Sequence, residues 1–201
     1  LLIEGCSGGG GRFDAGMLYY TPQIWCSDNS DAIDRLRIQY GTSFGYPVSA
    51  MGAHVSAVPN HQTGRITPLH PRGVVAMSGT LGHELEEKDE VRSQIGEFRK
   101  YAPLIQNGRY YRLTDPFKSE VCAWEIVGNS QEEVLLNVVM EEIHGNMTVN
   151  YVQLRGLDES ALYKEQTTGR IYSGAALMHG GMPLPAEFGE YRAYQYHFVR
   201  E

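Results

Sequence analysis

Between residues 6 and 31 lie two clusters able to do chemistry: Cys6-Ser7-Gly8-Gly9-Gly10-Gly11-Arg12 and Trp25-Cys26-Ser27-Asp28-Asn29-Ser30-Asp31. A carboxylic acid at the end of a strand can protonate a leaving group. A run of glycine amides can cradle an anion, or let the backbone approach a polar ring closely. From spacing alone, Asp28 has two readings. It is either the N-cap of a following helix with Asp31 three residues on, or a catalytic acid at the mouth of a β/α barrel. The glycine run lacks the Lys-Ser/Thr ending of a phosphate-binding loop. Cys6 is either a small core residue or a ligand contact, since a catalytic thiol needs a partner His that the spacing does not single out.

Two further sets invite chemistry less strongly. His54, His61 and His70 include no i, i+4 pair and no CxxC accompanies them, so hydrogen bonding near strand ends is the expectation and no metal is called for. Trp124, Tyr172, Tyr194 and Tyr196 would suit a carbohydrate platform, but at strand positions cross-strand packing is the plainer use.

The elements that must position these residues alternate in the first half. Leu1–Gly5, Gln23–Cys26, Val48–Val55 and Leu81–Leu85 read as strands, with helical patterns at Asp14–Tyr20, Asp31–Tyr40, Pro68–Met77 and Glu87–Ile105. Gly41 is the expected stop of the second helix, and Thr67 with Pro68 the expected start of the third. Ala57–Ile66 reads as a polar loop. Four β-α units are close to half of an eight-fold β/α barrel. An open doubly wound sheet is the alternative, although no dinucleotide fingerprint supports it.

Near Gly108 the pattern changes. Arg109–Thr114, Glu120–Val127, Val134–Glu142, Thr148–Arg155, Gly169–Ser173 and Tyr191–Arg200 are short runs rich in Val, Leu, Tyr and Trp, with turn signals at Gly128-Asn129, Gly145-Asn146 and Gly180-Gly181. They predict an antiparallel β-sandwich. In Tyr191–Arg200 the set Tyr191, Ala193, Gln195, His197 and Val199 is not cleanly apolar, so the pattern leaves the core face open.

The formal charge of −7 over 201 residues, with scattered Lys and Arg, argues against nucleic acid or an anionic membrane as partner. Three cysteines without paired spacing favour reduced thiols and a cytoplasmic setting. No apolar run approaches the roughly 18 residues that a membrane span needs. The abrupt start, strand-like and without an initiator Met, suggests the C-terminal piece of a longer protein.

IEGCSGGGGRFDAGMLYYTPQIWCSDNSDAIDRLRIQYGTSFGYPVSAMGAHVSAVPNHQTGR, followed by TPLHPRGVVAMSGTLGHELE, closely resembles the α-galactosidases of glycoside hydrolase family 36. CSGGGGRFD, QIWCSD, MGAHVS and PNHQ carry the likeness over Ile3–Glu86. YYRLTDPF, AWEIV and the closing YHFV extend it more loosely. The resemblance implies a (β/α)8 barrel whose second half is residues 1–106, then a C-terminal antiparallel β-sandwich over residues 107–201. It also implies hydrolysis of terminal α-linked galactose from melibiose- and raffinose-type oligosaccharides with retention, using two carboxylates about 5–5.5 Å apart.

By that resemblance Asp28 is the general acid/base, and Cys6, Gly8, Gly9 and Trp25 contact the sugar. The nucleophile belongs to a Lys-Trp-Asp motif absent from this chain, so it is expected upstream of Leu1. Neither metal nor organic cofactor is implied, the partner is the α-galactoside substrate, and the full-length protein is expected to be a homo-oligomer. The isolated chain is then expected to be inactive. A non-catalytic carbohydrate-binding or structural module and a phosphate-binding α/β protein are the competing readings. The paired motifs at adjacent strand ends favour the enzyme.

Overall fold

In the computed structural model, residues 3–6, 8, 11, 13–84, 88–142, 145 and 148–201 are described, and they divide into two compact units, Leu1–Gln106 and Asn107–Glu201. The expected contributions of Leu1, Gly9, Leu85 and Glu87 fall outside the described residues.

The first unit is built on short parallel strands. β1 (Glu4–Gly5) pairs in parallel with β2 (Gln23–Ile24), and β3 (Gly52–Val55) pairs in parallel with β4 (Thr80–His83). A single parallel bridge, Ile24 to Met51, joins the two pairs. The four strands therefore run side by side in chain order, and their C-terminal ends share one edge. Side chains are small where strands and neighbours crowd, as at the start of β3. A Cβ on Gly52 would come 2.8 Å from Glu4 Oε2 and 3.2 Å from Trp25 Cε3.

Three helices follow strands two to four: α1 (Ala32–Thr42), α2 (Leu69–Ala76) and α3 (Lys88–Asn107). Several boundaries differ from the sequence pattern. α1 is capped by Asp31, whose carboxylate accepts from the Ile33 and Asp34 amides at 2.9 and 3.1 Å, so Asp28 is not the cap. Gly41 does not stop α1, which continues to Thr42. The hydroxyls of Thr42 and Ser43 take up carbonyls of the last turn, Ile38 O and Tyr40 O.

Asp14–Tyr20 holds only a 3-10 turn at Met17–Tyr19, anchored by Asp14 Oδ1 on the Met17 amide. Val48–Ala50 is another 3-10 turn, which shortens the expected third strand. Pro68 is itself the N-cap of α2, held extended, rather than its first helical residue. α2 is buried from Pro71 through Ala76. α3 runs two residues past the expected Ile105, to Asn107, and it accommodates Pro103.

The second unit is an antiparallel β structure. β5 (Arg109–Arg112), β6 (Val121–Val127), β7 (Glu133–Met140), β9 (Leu162–Glu165), β10 (Ile171–Ser173) and β12 (Arg192–Arg200) form one six-stranded sheet in the order β10-β9-β12-β7-β6-β5. β8 (Tyr151–Val152) and β11 (Met182–Pro183) make a two-stranded pair. Val152 and Met182 bury into the same cluster as Ala123, Leu136, Val138 and Phe198 of the large sheet, which gives the two layers of a sandwich.

The register resolves the question left open in Tyr191–Arg200 by covering both faces, since Ala193 and His197 are buried on one and Phe198 on the other. Phe198 is fully buried, with Tyr194 and Tyr196 packed on the same core. Trp124 aligns instead with Asn137 and Gln195, on the opposite side of the sheet from Tyr194 and Tyr196. The four aromatics cannot form one platform. β9 was not marked by the sequence pattern, and Thr148–Arg155 contracts to the two residues of β8. Among the described residues, no helix is long and apolar enough to cross a membrane.

Candidate functional site

The C-terminal ends of β1 and β2 lie together because their register continues beyond the strands. The Trp25 amide donates to Gly5 O at 2.8 Å. Gly5 has no room for a side chain, since its Cβ would sit 2.8 Å from Thr21 Oγ1. The chain then exposes Cys6 and turns through Gly8 at φ +62°, a conformation that favours glycine. Cys6, Gly8 and the Trp25–Asp28 segment therefore emerge from neighbouring strands at one edge. Gly9 lies outside the described residues.

The loop from β2 to α1 carries Asp28 and is tied down around it. Ser27 Oγ accepts from the Asn29 amide (3.1 Å), Asn29 Oδ1 from the Asp31 amide (3.0 Å), and Asn29 Nδ2 donates to Asp34 Oδ2 (2.7 Å). The Asp28 carbonyl accepts from Gln62 Nε2 at 3.1 Å. Asp28's own carboxylate is exposed and makes no hydrogen bond to any described residue. Asp31 has taken the structural duty of a helix cap, which leaves Asp28 free of one.

The polar loop at 57–67 closes on the same segment. Asn60 Nδ2 donates to Ser30 Oγ (3.3 Å) and Thr63 Oγ1 to Asp31 Oδ2 (2.7 Å). Arg65 pairs with Asp31 and, at 3.3 Å, with Asp34. Beneath this clasp, the buried Arg72 of α2 donates to Ser56 O (2.6 Å) and Thr67 O (3.0 Å) and so holds both ends of the loop.

Trp25 is fixed on two sides. Its ring lies 4.4 Å from the His54 ring, and the Arg35 guanidinium carbon sits 4.3 Å from its centroid. His54 Nδ1 is 2.8 Å from Glu84 Oε1, and Gly82 leaves the space that the imidazole fills, since a Cβ there would come 2.4 Å from His54 Cδ2. Hydrogen bonding, the expectation for the histidines, describes His54. His61 and His70 are exposed. Among the described residues, no group of three or more His, Cys, Asp and Glu could hold a metal ion.

Sequence reasoning missed Arg35, Gln62 and the His54–Glu84 pair. Gln62 lies in PNHQ and His54 in MGAHVS, but neither motif names the group its side chain touches, which only packing brings within reach.

A family model described as melibiase matches residues 1–108, and one for the glycosyl hydrolase family 36 C-terminal domain matches residues 121–198. The chain belongs to glycoside hydrolase family 36. It is 62% identical over 206 residues to a bifunctional α-galactosidase/sucrose kinase of Mediterraneibacter gnavus, a match over 99% of this chain and 22% of that protein. It is 48% identical over 205 residues to an α-galactosidase of Lactobacillus acidophilus, covering 98% of this chain and 28% of the relative.

A solved family 36 α-galactosidase from Geobacillus stearothermophilus, a variant in complex with raffinose, superposes with TM-score 0.96 at 43% identity. That match covers 100% of this chain and 29% of the other. The chain thus spans under a third of the length of these family members.

Proposed function

We propose that this chain is the C-terminal part of a retaining α-galactosidase that removes terminal α-linked galactose from raffinose-type oligosaccharides, with Asp28 as its general acid/base. One observation carries the reading. Asp28 is an exposed carboxylate at the end of a parallel strand, braced through its backbone, while the cap that would have explained it structurally is supplied by Asp31. An acid/base must be held in place without being consumed by structural bonds, and Asp28 meets both conditions.

On this reading β1 to β4 are the last four strands of a (β/α)8 barrel, residues 1–106 being its second half, and residues 107–201 are the C-terminal sandwich domain. The nucleophile comes from the portion of the enzyme outside this chain. Asp28 donates a proton to the departing glycosidic oxygen, then removes one from the water that attacks the galactosyl-enzyme. Cys6 and Gly8 form a sugar-facing wall, where the absence of a side chain at Gly8 lets the backbone approach hydroxyl groups. Trp25, clamped by His54 and Arg35, supplies an apolar surface for the ring. Three free cysteines, Cys6, Cys26 and Cys122, suit a reducing, cytoplasmic compartment. The complete enzyme is taken to be a homo-oligomer.

The decisive experiment is Asp28→Ala in the complete enzyme, assayed on raffinose and on a 2,4-dinitrophenyl α-galactoside. Loss of general acid catalysis should cost about 10²–10⁴-fold on raffinose. The dinitrophenolate leaves without protonation, so cleavage of that substrate should suffer far less. Equal losses on both would refute the acid/base assignment.

A further inference from the structure

Arg35 is a charged side chain only 2% exposed, one turn into α1. Its guanidinium reaches under the loop that carries Asp28. Nη1 donates to Cys26 Sγ (3.1 Å) and to Gly52 O on β3 (3.4 Å), and Nη2 donates to Ser27 O (2.9 Å). The planar group also lies against Trp25. It thus touches each of the three residues preceding Asp28 and ties them to the next strand.

Burying a cation costs several kcal/mol unless it is paired, and among the described residues no carboxylate lies within salt-bridge distance of Arg35. Nε is buried with no hydrogen-bond partner among the described residues. An unsatisfied buried donor costs about 1–3 kcal/mol. The guanidinium is also pushed toward deprotonation by burial, opposed by Cys26, Glu84 and Asp28. As a stabilising device this arrangement is poor. As a jig it is good: five donors in a rigid plane can hold a thiol and two carbonyls in different directions while stacking on an indole, which an ammonium cannot do.

The geometry also shows what is held. Arg35 fixes the Ser27 carbonyl from below, and Gln62 fixes the Asp28 carbonyl from the 57–67 loop. The backbone is therefore gripped on both sides of the Asp28 Cα, while its carboxylate is left uncommitted.

We propose that Arg35 is a positioning residue for the reaction, setting the Asp28 carboxyl at the distance from the glycosidic oxygen that proton transfer requires. The proposal rests on the acid/base reading of Asp28 and adds the group that makes it effective. Displacing a reacting group by about 1 Å can cost on the order of 10²-fold, so the effect should reside in protonation of poor leaving groups rather than in galactose binding.

The test uses the complete enzyme with Arg35→Met, Arg35→Lys, Asp28→Ala and the Asp28→Ala/Arg35→Met double variant. Each is assayed on raffinose and on 2,4-dinitrophenyl α-galactoside. Arg35→Met should lower kcat on raffinose by about 10–100-fold, with KM little changed and a loss on the dinitrophenyl substrate at least about tenfold smaller. Arg35→Lys keeps charge and stacking but not the fork, and should show the same bias to a lesser degree. In the Asp28→Ala background, Arg35→Met should leave the ratio between substrates unchanged.

If Asp28→Ala discriminates between leaving groups and the Arg35 variants do not, the positioning role is overturned while the acid/base reading stands. If Asp28→Ala itself fails to discriminate, both fall. Should Arg35→Met not fold, Arg35→Lys decides alone, and losses equal on the two substrates would overturn the proposal.

Discussion

The two units of this chain solve the problem of burying polar groups in opposite ways. The first has strands of two to four residues and places charges under its strand ends. Arg35, Asp31 and Arg72 are each at most 5% exposed, and each is engaged by several hydrogen bonds. The second has central strands of seven, eight and nine residues whose core face is almost wholly apolar, from Ala123 and Val127 to Leu136 and Phe198. The exceptions among the described residues are Glu125, which takes one amide, from Arg155 at 2.6 Å, and Glu165 of β9, aligned with Phe198 and held by the Thr167 and Thr168 amides at 2.9 and 2.7 Å.

Polar networks are weak stabilisers but strong directors of geometry. Apolar strands pair and pack for stability with little directional demand. The first unit is therefore read as machinery and the second as support. Changes in the first should alter what the enzyme does to poor leaving groups, and changes in the second how firmly it stays folded.

The largest expected effect concerns separating this chain from the rest of the enzyme. The isolated 201 residues should show no turnover of an aryl α-galactoside, since the nucleophile lies elsewhere on this reading. β1 and β4 each pair on one side only among the described residues, so the isolated chain should also self-associate. Measurable turnover, or a stable monomer on size exclusion, would break the division of labour.

Next is Phe198→Ala in the sandwich core, expected to cost about 3–5 kcal/mol. It should be read as faster amide exchange in β7 and β12, with the raffinose-to-dinitrophenyl ratio unchanged. A shift in that ratio would mean that the sandwich participates in the site.

Glu125 sharpens the contrast through pH. Burial pushes its carboxyl up to about 8, with the Arg155 amide and charge opposing. The native state thus keeps a proton that the unfolded chain releases at the ordinary carboxylate range. Stability therefore falls as pH rises from about 4.5 to about 8 and stays low above that. Glu125→Gln should flatten this dependence and stabilise the sandwich by about 1–3 kcal/mol above pH 8. Unfolding midpoints across pH 5–9 check it.

Asp31→Ala comes last: it removes a cap worth about 0.5–2 kcal/mol together with the partners that Arg65 and Thr63 find on this buried carboxylate. Unlike the sandwich variants, it should also lower turnover of raffinose more than that of the activated galactoside, because it loosens the loop carrying Asp28. Equal effects would place Asp31 with the scaffold.

How much of this was legible beforehand follows from how local each signal is. The four β-α alternations and the change of character near Gly108 show in period and turn chemistry, which are properties of neighbouring residues. The strand LYKE at Leu162–Glu165 was missed because four residues with two charges look like a loop until β12 and β10 flank them. The contraction of Thr148–Arg155 has the same origin, since pairing with β11 reaches only Tyr151 and Val152.

By itself the sequence determined the order of the elements, the family resemblance, and the clusters around Cys6 and Asp28, because these depend on residues close in the chain. Only the tertiary structure decided which aspartate caps α1, that both faces of Tyr191–Arg200 carry buried residues, and that Arg35 and Gln62 grip the segment around Asp28. A cap needs a particular backbone turn, a core face needs its partner strands, and a guanidinium four residues beyond a loop finds that loop only when strand and helix pack together. Those are facts of contact, and spacing along a chain does not carry them.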